Sequence, residues 1–274
     1  MPAISTNIAA NSAVRYLNIN SNQETSSLSK LSSGSRITSA SDDAAGLAIS
    51  TRISSDITTL QQAATNAAQA TSILQTADGG ASNISDILAR MKSLASESAS
   101  GTTVGTSRTY IQSEFSQLIS EISSIATGTR YSGQSLLDGT STFSAGVSVL
   151  VGSSATDTID IKLSDLTAST LGVSSLDVST QSGATAALTT LDTAIDTVSK
   201  ARADIDAQES RFNFSADSIS TQTQNLQSAN SAIKDVDIAS EQAKLSSAQV
   251  KTQAAVSAEA AANQIPQYLL KLLG

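Results

Sequence analysis

From Leu188 to Ile233 one stripe of the chain advances in steps of three and four without a slip. It runs through Leu188, Leu191, Ile195, Val198, Arg202, Ile205, Glu209, Phe212, Ala216, Ile219, Thr223, Leu226, Asn230 and Ile233. That spacing lays the positions along one face of a helix, as in a coiled-coil seam. At 1.5 Å per residue such a helix is about 70 Å long, more than twice the diameter of a small domain. A globule cannot enclose it. The expected fold class is therefore mainly α, with long helices in a coiled-coil-like rod or bundle.

The same spacing recurs upstream. Ala10, Val14, Leu17, Ser21, Glu24, Leu28 and Leu31 form one series, and Ile53, Ile57, Leu60, Ala64, Ala67, Thr71 and Leu74 a second. Asp78-Gly79-Gly80 reads as a stop to that second helix. A third helix carries Ile84, Ile87, Met91 and Leu94 and ends near Ser100-Gly101; a fourth carries Ile111, Phe115, Leu118, Ile122 and Ile125 and ends at Gly128. From about 129 to 183 the chain turns rich in Gly, Ser and Thr. There "GVSVLVG" (146–152) and "DTIDIKL" (157–163) predict a small β-hairpin with its turn at 153–156, the one strand-like region. Beyond 234 the sequence is Ala-rich and closes with "IPQYLLKLLG".

The organisation reads as nested. Residues 1–41 and 234–274 form the two halves of a terminal coiled-coil domain, and 42–233 a helical bundle domain with the β excursion inside it. The terminal seams carry Ala, Ser and Glu where Leu is expected. Helices with so thin an apolar stripe depend on packing. Both ends are therefore expected to be loose alone and to order against each other and neighbouring copies. Val14, Leu17, Leu28 and Leu31 at one end, with Val250, Ile265, Leu269 and Leu270 at the other, are the candidate assembly residues.

Composition removes most chemistry. The chain has no His and no Cys, so a Ser-His-Asp triad, a histidine zinc site, thiol catalysis and disulfides are impossible. Aromatic residues are 3% and Trp is absent, so the core must be built from Leu, Ile, Val and Ala. A formal net charge of −8 argues against nucleic-acid binding. No apolar run is long enough to predict a membrane span, and the first residues do not read as a secretory leader. No cofactor is implied, and the chain is not expected to be an enzyme.

"LSSGSRITSASDDAAGLAIS" (31–50) interrupts the first two helical series. Asp42 and Asp43 could be read as a catalytic acid pair, but nothing nearby supplies a base, a platform or a metal partner. The better reading is a joint: Gly34 breaks one helix, and Ser41 caps the next, with the aspartates near the positive end of its dipole. Asp157, Asp160 and Asp165 lack the spacing of a Ca²⁺ loop and read as a solvated face. Gly128 to Gly133 lacks the G-K-[ST] of a phosphate loop and reads as a turn from helix to strand.

At several stretches the sequence resembles bacterial flagellin. These are residues 31–50, "TRYSGQSLLDG" (129–139), "RFNFSADSI" (211–219) and the ending "ANQIPQYLLKLLG". No large central insert is present, so the resemblance is to a short form lacking outer domains. It implies paired termini lining a filament core, a surrounding helical bundle with a β-hairpin, and residues 31–50 as the joint between the two layers. It implies a self-assembling subunit of the extracellular filament used for motility, exported by the flagellar type III system. Implied partners are copies of itself, an export chaperone, and cap and hook-junction proteins. In many flagellins Toll-like receptor 5 contacts the bundle. "LARMKSLA" (88–95) and "IQSEFSQL" (111–118) resemble that patch, with Arg90, Leu94 and Glu114 at matching positions and Lys92 and Ser93 departing from it. Read from the residues alone, Met91 and Leu94 belong to the core, and Arg90 and Glu114 lie on a solvated or intersubunit face. A hook–filament junction protein, or a surface adhesin on the same scaffold, is the alternative.

Overall fold

The computed structural model describes residues 7–273, with side chains described as far as residue 264. Six helices carry most of the chain: α1 Ile8–Ser33, α2 Ala44–Ala99, α3 Gly105–Gly128, the single turn α4 Thr142–Ala145, α5 Gln181–Lys234 and α6 Ile238–Leu273. Two antiparallel pairs accompany them, β1 Arg130–Tyr131 with β2 Gln134–Ser135, and β3 Val147–Leu150 with β4 Thr158–Ile161. The chain divides into two compact units. One comprises Met1–Ser55 and Asn225–Gly274, the other Asp56–Gln224.

In the unit Asp56–Gln224 the core stripe of α2 is Leu60, Ala63, Ala67, Ala70, Leu74, Ala77, Ala81, Ile84, Leu88 and Met91, all buried. The steps alternate three and four throughout. The predicted stop at Asp78-Gly79-Gly80 is therefore overturned: α2 runs unbroken for 56 residues. Two contacts outweigh the poor helix propensity of the glycines. A Cβ on Gly80 would strike the Thr129 hydroxyl and stand 2.9 Å from Leu137 Cδ1, so only glycine lets that loop seat on the helix. Asp78 meanwhile pairs with Arg202 of α5, Nε to Oδ1 at 2.8 Å.

The buried stripe of α5 is Ala184, Ala187, Leu191, Ala194, Val198, Ala201, Ile205, Phe212 and Ile219. Every second seam position in its first half is thus one residue earlier than the sequence reading placed it. Ala187, Ala194 and Ala201 are buried, whereas Leu188, Ile195 and Arg202 lie half-buried beside them. Series chosen for large apolar groups miss this, because alanine on the contact line lets two helices approach closely while larger neighbours pack along the flanks. The same shift occurs on α1, whose inward positions are Ala10, Ala13, Leu17, Asn20, Glu24, Ser27 and Leu31; Val14 and Leu28 are exposed.

The last carbonyls of α2 have no partner within the helix. Other segments supply donors. Thr103 Oγ1 donates to Glu97 O at 2.7 Å, Arg108 Nε to Ser98 O at 2.8 Å and Gln181 Nε2 to Ala99 O at 3.0 Å. This turns the α2 end into an anchor for the start of α3 and of α5. The predicted hairpin at 146–163 is present, and Asn66 of α2 donates to Leu150 O beside it. The sequence reading missed the short β1–β2 pair, whose turn needs left-handed backbone at Ser132 and Gly133 (φ 49° and 84°). Between β4 and α5 the chain has no regular structure, yet it buries Leu163, Leu166, Leu171, Val173 and Val178.

Gly79 and Gly80 are predicted to respond oppositely to alanine. Nothing lies within 4 Å of a Cβ on Gly79. Gly79→Ala should raise stability by about 0.5–1 kcal/mol, and Gly80→Ala should lower it by about 1–3 kcal/mol through overpacking. Urea unfolding followed by circular dichroism reads both. Equal effects would refute the packing role of Gly80.

Candidate functional site

The break between α1 and α2 is a hydrogen-bonded crossing of two strands of chain. Gly34 ends α1 in the left-handed conformation at φ 68°. Ser35 then bridges Asp235; the Arg36 N–H donates to Lys234 O at 2.6 Å and the Val236 N–H to Gly34 O at 3.1 Å. Arg36 adds two side-chain bonds, Nε and Nη2 both donating to Ile233 O. Those carbonyls belong to the end of α5. The segment after α1 and the segment before α6 therefore satisfy each other's backbone groups, which the helix ends leave without partners of their own. Close by, Ser50 Oγ bonds Asn230 Oδ1 at 2.7 Å, tying the start of α2 to α5.

Asp42 and Asp43 serve this turn and do not face each other as an acid pair. Asp42 Oδ2 accepts from Thr38 N, Thr38 Oγ1 and Ser39 N at 2.9–3.0 Å, closing a loop before the helix. These bonds, led by the Thr38 N–H, hold its carboxyl below the usual carboxylate range. Asp43 Oδ1 accepts from Gly46 N at 2.8 Å. Asp43 is thus the N-cap of α2, a correction to the expectation that Ser41 caps it. The Ser41 hydroxyl instead bonds Ser39 within the preceding turn. A Cβ on Gly46 would lie 2.5 Å from Asp43 Oδ2 and 2.8 Å from Ile37 Cδ1, which accounts for glycine three residues after the cap.

Arg90 and Glu114 are brought together, but Leu94 does not join them at the surface. Arg90 on α2 donates through Nε and Nη2 to Glu114 Oε1 on α3 at 2.9 and 2.7 Å. Both side chains are about half exposed. Such a pair is worth roughly 0–1 kcal/mol to folding, and its charges remain accessible. Leu94 is 2% exposed and belongs to the core with Met91. Lys92, two residues on and so turned to another side of α2, pairs with Asp192 of α5.

The terminal helices α1 and α6 lie against each other along their length. Asp237 caps α6, accepting from Ala239 N and Ser240 N. From α6 the inward positions are Glu241, Leu245, Ala248, Ala255 and Ala262, all buried. Much of the apolar bulk faces away. Ile8, Tyr16, Ile19, Leu28, Ile238, Val250 and Val256 are exposed, Tyr16 at 64% and Val250 at 68%. Of the candidate assembly residues, Leu17 and Leu31 are half-buried at the seam, whereas Val14, Leu28 and Val250 are exposed. The side chains of Ile265, Leu269 and Leu270 lie outside the described residues.

The acids near the hairpin make local bonds. Asp157 Oδ2 accepts from Ser154 N, Asp160 from the Ser148 hydroxyl, and Asp165 from Thr167 and Thr170. Among the described residues no three acidic groups are placed to hold a metal ion. No helix among them is long and apolar enough to cross a membrane.

A mainly helical chain with paired termini and apolar side chains left on the outer faces of that pair is a structural protein of the coiled-coil class. Comparison with known proteins makes the class specific. Residues 4–142 match the model for the bacterial flagellin N-terminal helical region, and 188–273 the model for the flagellin C-terminal helical region. The chain is 36% identical to a flagellin of Halalkalibacterium halodurans across 98% of this chain and 99% of that one. It is 35% identical to a flagellar filament 30.7 kDa core protein of Treponema maltophilum, with the same coverage. The crystal structure of Bacillus cereus flagellin superposes with a TM-score of 0.52 at 30% identity, covering 61% of this chain and 94% of that one. The chain belongs to the bacterial flagellin family, in a form without large central domains. It is a structural, non-enzymatic subunit of the flagellar filament outside the cell.

Two outcomes are expected. Asp43→Ala should cost about 1 kcal/mol by removing the α2 cap, and Asp43→Asn much less, since Asn also caps; thermal unfolding of the two variants compares them. Acid is the second probe. Asp42 and Glu241 have carboxyl pKa values lowered in the folded chain. Their contribution to stability is thus complete above the unfolded value and is lost as pH falls through the folded one. Stability should stay level from neutral pH to about 5 and decline below about 4. A step centred near 6.5, the ordinary histidine value, would contradict a chain without histidine.

Proposed function

We propose that this flagellin polymerises through its terminal helix pair, with the outward side chains of α1 and α6 buried between copies. One observation carries the reading. Ile8, Tyr16, Ile19, Leu28, Ile238, Val250 and Val256 stay exposed on helices that already pair with each other. Apolar groups gathered on one pair of helices gain roughly 25 cal/mol per Å² when covered, and monomers rarely leave large patches open. Repeated head-to-tail contacts of this kind do not close and therefore grow a fibre. The hydrogen-bonded turn at Gly34 to Asp43 serves as the joint between α1 and α2. Membership of the family supports export through the flagellar type III channel, with a chaperone, cap and hook-junction proteins as partners, as part of the same proposal.

The pair Arg90–Glu114 supports a subsidiary role for this face. With Leu94 in the core, Toll-like receptor 5 would have to bind through the charged pair alone. The face is proposed to serve contacts between copies first, and to be open to a receptor on the free subunit.

Light scattering of the purified full chain, seeded with short filaments and followed by electron microscopy, tests assembly. Long filaments of uniform diameter are expected. Chains lacking 1–40 or 235–274 should keep a folded helical bundle by circular dichroism and give no filaments. Filaments from either truncated form would overturn the role of the termini. A flat trace from the intact chain would favour the junction or adhesin reading.

A further inference from the structure

A hollow of about 410 Å³ opens where the chain leaves the β1–β2 pair and turns into α4. That volume is usual for a small-molecule site, but such sites are mostly apolar. No apolar side chain lines this one. Arg130, Gly133 and Gln134 of the β1–β2 pair and its turn form one side, and the loop from Asp138 to Thr142 the other. The turn is held by Ser132, at φ 49° the one non-glycine residue with positive φ among the described residues. Backbone of this kind gathers at ligand-binding loops.

Three groups of the lining keep bonding capacity that the fold does not use. Arg130 Nε donates to Thr127 O at 2.8 Å, while its two Nη groups make no bond among the described residues. Asp138 accepts from Thr140 N at 3.0 Å and from Thr140 Oγ1 at 2.8 Å. These bonds, led by the Thr140 N–H, hold its carboxyl below the usual carboxylate range, and each oxygen can accept again. Arg130 and Asp138 line one hollow yet form no ion pair with each other. Ser141 is the third. It stands before α4, but its hydroxyl makes no cap bond. Among the described residues it is the one buried side-chain polar atom without a partner. A buried hydroxyl is costly to leave so unless something else supplies the bond.

We propose that this hollow binds a free polar α-amino acid, with its carboxylate on the Arg130 guanidinium, its ammonium on Asp138 and its side chain toward Ser141 and Gln134. The gap between the two charges selects the class. An anion alone would meet Arg130 but also the Asp138 carboxylate, in a chain whose net charge is −8. An amine alone would meet Asp138 but also Arg130. A zwitterion satisfies both and brings no net charge. Its carboxylate can take the two-pronged contact that a guanidinium offers. With no apolar wall, the side chain that fits is short and hydrogen-bonding, as in serine. The site lies within the bundle unit and uses none of the outward residues of α1 and α6. It therefore goes beyond the filament reading, and neither depends on the other.

Titration of the full, unpolymerised chain with L-serine, followed by saturation-transfer and amide-shift NMR, tests this. Affinity should be weak for so small and open a ligand, with a Kd on the order of 1 mM. Amide shifts should be confined to residues near 130–142. Asp138→Asn keeps an acceptor for the Thr140 N–H, so the loop should hold its shape while the ammonium loses its charged partner. That variant and Arg130→Gln should each weaken binding by about tenfold or more, and Ser141→Ala by about threefold. Glycerate has a hydroxyl in place of the ammonium, and L-serinamide has no carboxylate. Each should bind roughly tenfold more weakly than L-serine. Should Arg130→Gln disturb the Thr127 contact, Arg130→Lys keeps the charge without the planar fork and should still weaken binding. No saturable binding of L-serine would mean that the hollow holds water only, and would overturn the proposal. So would equal binding of glycerate or L-serinamide, or an affinity unchanged in both charge variants.

Discussion

Close approach of long helices along alanine-lined heptad stripes is the constraint on which the rest of this structure depends. Each stripe removes little apolar area per residue, so length replaces bulk: α2 has 56 residues and α5 54. Small seam residues also bring backbones near enough for side chains on the flanks to bond across, as Arg202 does to Asp78 and Gln75 to Glu209. The few large side chains are spent on the core: Phe115, Phe212, Leu136 and Leu137 are buried, and Leu137 approaches α2 at Gly80. With so little aromatic bulk available, loss of one such anchor would be felt more than in an ordinary core.

Polar groups do the work of placement. The end of α2 is secured by Thr103, Arg108 and Gln181, the end of α5 by Arg36, and the start of α2 by Asp43. None of these bonds is strong by itself, at about 0.5–1.5 kcal/mol net. Leaving a buried helix end without them would cost more. They set where each helix stops and in which direction the next begins.

The assembly proposed above draws on this arrangement. A chain whose terminal helices satisfied all their apolar surface against each other would be a stable monomer with no reason to polymerise. Here the seam is thin and partly polar, and the larger apolar groups point away. On the proposed reading, folding of the single chain and burial in a polymer draw on different side chains of the same two helices. The face carrying Arg90 and Glu114 stays charged and accessible, whereas Leu94, which the sequence comparison grouped with them, is committed to the core.

The sequence by itself determined the helical class, the hairpin at 146–163, the break at Gly34 and the exclusion of histidine and cysteine chemistry. Those follow from period, turn residues and composition, which are local or additive. It also carried the family resemblance in four separate stretches. What it did not determine was which residues of a stripe face inward. Large apolar groups are the usual guide, and here they mark the flank, because close helix approach selects Ala187, Ala194 and Ala201 over Leu188, Ile195 and Arg202. Nor did it determine whether Gly79-Gly80 ends a helix or admits a loop. That depends on Thr129 and Leu137, some fifty residues away, occupying the space a Cβ would fill. Ser41 and Asp43 are equally good caps by composition, and only the path of the turn, closed by Asp42, decides between them. In each case the tertiary structure chose among local options of nearly equal free energy, since contacts distant in sequence outweigh small differences in propensity.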